Sequence, residues 1–190
     1  MIYFEKLMLE PGIIRSKVYW FFIKRKFASV GDNFRIGTGS SVLGLDFISI
    51  GNNFSGGKDV KIHAWNKNGA SPQIVIGNEV TFTDHSYISC ANRVTIGNGV
   101  LLGENSFITD NFHGSSLKEE LVISPSKRRI TSKGEVIIDD NVWLGRNVCV
   151  MPNVHIGEGT IIGANSVVTH DIPSYSIAAG TPAKIISEIK

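Results

Sequence analysis

Residues 138–168 read IDDNVWLGRNVCVMPNVHIGEGTIIGANSVV. An aliphatic side chain returns at every sixth position: Ile138, Leu144, Val150, Ile156, Ile162 and Val168. Glycine follows it in Leu144-Gly145, Ile156-Gly157 and Ile162-Gly163. A small residue or Val stands four places on, at Val142, Val148, Val154, Thr160 and Ser166. A helix repeats near 3.6 residues and a strand at 2, so a period of six is neither. A hexad instead supplies one short strand and one turn, and three hexads close a triangular coil. The aliphatic points into the prism, and the small residue fits near its corner. Gly and Asn, as in Gly77-Asn78, Gly97-Asn98 and Gly103-Glu104-Asn105, supply the turn conformations. Stacked at strand spacing, about 4.8 Å, such coils bury one another's ladders.

The same phase runs upstream. It appears at Ile76, Phe82, Ile88 and Val94, then resumes two residues late at Ile96, Leu102 and Ile108. An earlier copy is Val30, Ile36, Val42 and Ile48, with the same slip to Ile50. Three hexads per coil give about six coils between Val30 and Ile172. The expected fold is therefore all-β, a parallel β-helix with triangular coils. Composition agrees: 25 Ile and 16 Val face 9 Leu and 8 Ala, beside 20 Gly and 14 Asn. Those are strand and turn residues, which exclude a helical bundle and a doubly wound α/β chain. With 42% hydrophobic and 19% charged residues, a disordered chain is excluded too.

A net charge of +2 in 190 residues does not suggest nucleic acid as a partner. Cys90 and Cys149 form no CxxC pair and read as reduced thiols. The start of the chain, Met1 to Leu9, carries Glu5 and lacks a signal-peptide cleavage pattern, so a cytoplasmic location is expected. The run Val18 to Ile23 is six residues, far below the roughly 20 needed to span a bilayer. Arg15, Lys17, Lys24, Arg25 and Lys26 flank it. Residues 13–27 thus suit either a short helix packed on the body or a neighbour, which is the favoured reading, or a peripheral contact with anionic lipid. The expected organisation is 1–29 as a partly helical segment, 30–173 as the repeat and 174–190 as a tail.

Two stretches break the period. One lies between Ile62 and Ile74 and contains His63-Ala64-Trp65-Asn66; the other runs from Phe112 to Glu135. A long excursion from a regular solenoid reads as a protruding loop that carries function. His113 stands at the mouth of the second, in Thr109-Asp110-Asn111-Phe112-His113-Gly114. The five histidines, at 63, 85, 113, 155 and 170, have no pair five residues apart. A γ-type carbonic anhydrase zinc site needs such a pair, so no metal is expected. His85, His155 and His170 read mainly as outward-facing positions.

The C-terminal half resembles the hexapeptide-repeat acyltransferases. The resemblance rests on Ile138 to Gly145, Ile162 to Thr169, Asp171-Ile172-Pro173 and Ala178 to Lys184. Around His113 it resembles the lipopolysaccharide and capsule O-acetyltransferases: Thr109 to Gly114, the segment Ser124-Pro125-Ser126-Lys127-Arg128, and Val142-Trp143-Leu144-Gly145. One departure is Asn111, where that pattern usually carries a first His; His113 is left as the sole base. The resemblance implies a left-handed helix, a homotrimer with sites between subunits, and acetyl-CoA as co-substrate. Histidine, with an ordinary pKa of about 6.5, can take a proton from an attacking sugar hydroxyl. A carboxylate should orient it. Asp84, Asp110 and Glu119 are the candidates, with Asp110 preferred for orientation. Thr83, Asp84 and Asn111 are expected on the acceptor side, although turn capping is an equal reading for the aspartates.

For acetyl-CoA, the resemblance implies Trp143, Gly145 and Arg146 beside the pantetheine arm, and Ala164 and Thr169 further along. Lys184 would meet the nucleotide phosphates. His170 stands where Lys is common, and Ser187 where a second basic residue often follows. The leading expectation is an O-acetyltransferase of surface-polysaccharide sugars. A small soluble acceptor is the alternative; the maltose and galactoside enzymes typically have Pro after the His, where this chain has Gly114. N-acetylation of a nucleotide-linked amino sugar is a third. Many such enzymes carry an α/β domain ahead of the repeat, and only 29 residues precede Val30. A non-catalytic scaffold is the reading from another class.

Overall fold

The computed structural model describes Trp20 and residues 22–66, 71–115 and 117–190. The chain forms a left-handed parallel β-helix of six coils. Three parallel sheets make the three faces of the prism. The first face stacks strands Ser29–Val30, Ile48–Ile50, Gln73–Ile76, Arg93–Ile96, Val136–Ile138 and Val154–Ile156. The second stacks Arg35–Ile36, Ser55–Gly56, Thr81–Phe82, Leu101–Leu102, Trp143–Leu144 and Ile161–Ile162. The third stacks Ser41–Leu43, Lys61–Ala64, Tyr87–Cys90, Phe107–Thr109, Cys149–Val150 and Val167–Val168. A partial seventh coil follows: Ser176–Gly180 joins the second face and Ala183–Glu188 folds back antiparallel on it.

The hexad phase is the core. Ile138, Leu144, Val150, Ile156, Ile162 and Val168 are all fully buried, as are Ile88, Leu102 and Ile108. Thr160 and Ser166 are buried at the small position, where each hydroxyl donates to a backbone carbonyl, of Pro173 and Gly163 respectively. At the N-terminal end, Trp20 and Phe27 are buried edge-on against Phe34, which stacks on Phe54. These rings cover the open end of the hydrophobic prism, the task of a capping element in a solenoid. Phe22 is exposed, beside the 3-10 turn Lys24–Lys26. The expectations for residues 1–19 lie outside the described residues. Among the described residues, no helix is long and apolar enough to cross a membrane.

The three corners differ. At the first, between faces one and two, side-chain oxygens form a ladder. Asn52, Asn78, Asn98 and Asp140 each accept from the backbone N–H of the residue one coil earlier, at 2.7–2.8 Å. At the second corner, between faces two and three, one residue per coil is left-handed, as at the first; here they are Gly39, Asp59, His85, Asn105, Asn147 and Asn165. Only Gly, and Asn or Asp at modest cost, adopts that backbone readily. His85 is thus a turn residue, and its ring lies 3.7 Å from Asp59.

The third corner, where face three returns to face one, collects every break in the period. It holds the two-residue slip at Ala91-Asn92, the insertion after Ala64 and the excursion from Asp110 to Glu135. The third-face strands of coils two and three run to four residues, ending at Ala64 and Cys90.

Candidate active site

His113 sits on a two-stranded ribbon that rises from the third corner. Asn111–His113 pairs antiparallel with Ile130–Ser132, with His113 opposite Ile130. Gly114 N–H donates to Arg129 O at 2.7 Å, and Thr131 Oγ1 donates to Gly114 O at 2.7 Å. Gly114 has φ +79, and a side chain there would strike Arg128 and Glu120. Beyond it, Ser115 N–H donates to Glu120 Oε2, and Arg128 Nε donates to Ile123 O. The excursion is therefore an ordered arm whose stem fixes His113. Strand alternation puts Asn111 and His113 on one side of the ribbon. Phe112 takes the other, where Lys133 Nζ lies 5.3 Å from its ring centre.

The imidazole of His113 is exposed, and among the described residues no carboxylate hydrogen-bonds it. Asp110, expected to orient it, does something else. Its buried carboxylate accepts from Ala91 N–H and Asn92 N–H at 2.8 Å, from Asn111 Nδ2 at 3.0 Å and from the Cys90 thiol at 3.3 Å. All of these bind the third corner together, and none reaches His113. The reason is alternation: Ile108 points into the prism, and position 110, two residues on, faces the same way. Burial, then the Asp110 charge, push the Cys90 thiol far up, so it is held neutral.

Asn111 donates from Nδ2 to Ser89 O at 2.8 Å and to Ser89 Oγ at 3.2 Å. Thr83 and Asp84 lie at the second corner, across the width of the third face from His113. Thr83 Oγ1 donates to Leu102 O, and Asp84 Oδ1 accepts from Lys58 N–H at 2.8 Å. Within one chain these two residues do not join His113.

The remaining candidates also sit apart from it. Trp143 is half-exposed on the second face, between Leu101 and Ile161 in an apolar ladder. Gly145 lies so close to the next coil that an added Cβ would stand 2.7 Å from Ala164 N. Arg146, at the same corner, reaches Glu104 at 3.4 Å. Thr169 and His170 bond each other at 2.9 Å, and Lys184 is exposed on the C-terminal hairpin opposite Ala179. A single chain thus places the candidates in two separate groups: His113 and Asn111 at the third corner, and Trp143, Gly145, Arg146 and Ala164 along the second face and second corner.

Ser89, Trp65 and His63 also belong to the third corner. Trp65 Nε1 donates to Ser89 Oγ at 3.0 Å, the oxygen that Asn111 also meets. His63 stands edge-on to Trp65 and Tyr87, with Nε2 2.9 Å from Ser41 Oγ. Its Nδ1 is buried without a hydrogen-bond partner, and burial followed by the Lys61 charge lowers its pKa. Trp65 was visible in sequence as part of a break. Ser89 carried no signal, because serine on an outward strand position is ordinary. No group of side chains suited to a metal occurs among the described residues.

A triangular β-helix with an arm at one corner and an apolar strip on another face is the architecture of a transferase built on hexapeptide repeats. Residues 135–170 match the family model for bacterial transferase hexapeptides (six repeats). A protein of Escherichia coli (strain K12) assigned as a lipopolysaccharide biosynthesis O-acetyl transferase, WbbJ, is 37% identical over 144 residues, 74% of this chain and 71% of that one. The dTDP-4-amino-4,6-dideoxy-D-glucose acyltransferase of Escherichia coli is 33% identical over 171 residues, 85% of this chain and 82% of that one. The fold is shared with a variant of AntD, an N-acyltransferase from Bacillus cereus solved with dTDP-4-amino-4,6-dideoxyglucose and coenzyme A. Its TM-score is 0.74 at 22% identity, covering 90% of this chain and 89% of that one. The chain belongs to the hexapeptide-repeat acyltransferase family, and it is an acyltransferase.

Proposed function

We propose that this enzyme transfers acetyl from acetyl-CoA to a sugar hydroxyl during synthesis of a surface polysaccharide, with His113 as general base. The observation that carries the reading is His113 itself: exposed, with no side-chain hydrogen bond among the described residues, and mounted on a braced ribbon. A base must be free to meet a substrate proton. The bound donor supplies an activated thioester, so no acyl-enzyme is required. His113 takes the hydroxyl proton as the oxygen attacks the thioester carbon. The C–S bond breaks, and the imidazolium returns the proton to the departing thiolate. The strip of Leu101, Trp143 and Ile161, with the close approach at Gly145 and Ala164, suits a pantetheine arm. Arg146, Thr169, His170 and Lys184 are assigned to the rest of the donor.

The two half-sites meet when the second face of one copy lies against the third corner of the next, as in a closed threefold ring. Thr83 and Asp84 then reach the acceptor from the neighbouring copy, while Asn111 reaches it from the same copy as His113. His113→Ala tests the base. Acetyl transfer, followed as CoA release with saccharide acceptors, should fall at least about a hundredfold while the assembly stays folded. Full activity in that variant ends the reading.

The dTDP-amino-sugar relative favours a second reading, N-acetylation of a nucleotide-linked amino sugar. Mild alkali separates the two, since it strips an O-acetyl ester and leaves an N-acetyl amide. The basic segment at 13–27 would keep the enzyme at the inner membrane surface if the acceptor is lipid-linked.

A further inference from the structure

The outward positions of the second face form one ladder through all the coils. Arg35, Ser55, Thr81, Leu101, Trp143, Ile161 and Ile177 are in register from strand to strand. The ladder is polar from Arg35 to Thr81 and apolar from Leu101 onward. Neighbouring rungs are one coil spacing apart, about 4.8 Å. Along the prism, Arg35 thus lies about 10 Å from Thr81 and about 14 Å from Leu101.

Arg35 differs from the other arginines of the prism in its pairing. Arg93 and Arg146 each meet a glutamate of an adjoining coil, Glu135 at 3.7 Å and Glu104 at 3.4 Å. Arg35 is exposed, and its guanidinium makes no ion pair or hydrogen bond among the described residues. Its surroundings are low: Ser55 and Thr81 are short, and the strands Arg35–Ile36 and Ser55–Gly56 run out into Gly37 and Gly57. A guanidinium presents paired N–H donors that match a phosphate or a carboxylate.

The proposed donor site gives this ladder a direction. Lys184, assigned to the far end of the donor, is on the hairpin beyond Ile177, and Trp143 lies beside the pantetheine arm. The acetyl end then points towards Leu101. Leu101 and the stem of the His113 arm belong to the same coil, the fourth. Rotation about a threefold axis preserves height along it, so in a ring of parallel prisms the neighbour's His113 arm springs from that same level. A hydroxyl presented there leaves the rest of the acceptor over Thr81, Ser55 and Arg35. We infer that Arg35 binds an anionic group of the acceptor, a phosphate or carboxylate carried by the sugar ring that receives the acetyl group. This assignment rests on the proposed transfer to a sugar.

The test follows CoA release with a set of sugars, each offered as its neutral methyl glycoside, its glycosyl phosphate, its nucleotide diphosphate and its uronic acid. An anionic form should exceed the neutral form of the same sugar at least about tenfold in kcat/KM, the worth of a charge-assisted hydrogen bond. Whether phosphates or uronic acids are the preferred forms tells the two anionic groups apart. Arg35→Gln should raise the KM of the preferred form at least about tenfold, with the acetyl-CoA KM and the melting temperature unchanged. Arg35→Lys keeps the charge and should recover part of the loss. Preference for the neutral form, or an anionic-acceptor KM unmoved by Arg35→Gln, overturns the site and leaves transfer to a sugar in place. A rise shared by the acetyl-CoA KM overturns it too. No turnover with any saccharide instead removes the sugar-acceptor reading itself, and the anionic site with it.

Discussion

His63 shows how a single buried side chain couples this corner to pH. Its ring is desolvated between Trp65 and Tyr87, and Lys61 adds repulsion, so its pKa in the folded chain lies below the ordinary 6.5. The unfolded chain therefore binds more protons in the window between the two values. The stabilising contribution is full above about 6.5 and is lost as pH falls through that window to the lowered value. Thermal unfolding should show it. The melting temperature of the native chain should fall between pH 7 and pH 5. His63→Leu, less stable at pH 7 through loss of the Ser41 bond, should fall by less; parallel curves would remove His63 as the source. Cys90 and Asp110 teach a related lesson. A carboxylate that looks catalytic by its distance in sequence from His113 is bound instead by two backbone N–H groups and a thiol. Position in the chain gave no warning, because residue 110 faces inward through its place two residues after the buried Ile108.

Each strand of the helix is only two to five residues long, except the last, so the corners do much to hold the register. The second corner makes this measurable. Asn147 has φ 57, and its Nδ2 donates to Asn165 Oδ1 at 2.8 Å. A β-branched residue pays heavily for a left-handed backbone, so Asn147→Val should cost at least about 1–2 kcal/mol, while Asn147→Gly should cost less. Denaturant melts of the two variants check the order. The first corner has its own left-handed residue in each coil and adds side-chain acceptors: three Asn and one Asp in register make a continuous ladder. The Asp140 carboxyl is held below its ordinary value by the Asn98 N–H it accepts. The third corner carries neither device throughout, and this is where insertions are accommodated. An insertion there interrupts no ladder of the other two corners, so the helix resumes beyond it in register, as Ile96 pairing with Ile138 across the arm shows.

For the whole molecule, the two proposed half-sites predict sharing between copies. A variant lacking His113 and one lacking Trp143 should each be inactive alone. Unfolded together and refolded as mixed trimers, they should regain about a quarter of the native sites, since one interface in four pairs an intact His113 with an intact Trp143. No recovery would place both residues in one chain's own site. The prism was legible in the sequence because inward positions recur at fixed spacing, and a coil three hexads long can bury them in only one way. Both breaks were legible for the same reason, and His113 with them. Three things were not. Asp110 read as a partner for His113, Thr83 and Asp84 read as its neighbours, and Ser89 had no signature at all. Each depends on which corner a residue occupies and which way it points, and neither composition nor motif records that. The sequence by itself determined the solenoid, its breaks and its family, since these follow from periodicity and local residue type. Only the tertiary structure decided that Trp65 and the arm bearing His113 meet at one corner, where Trp65 and Asn111 both bond Ser89. Stacking brings together residues far apart in the chain, and the distance between them is set by the number of coils.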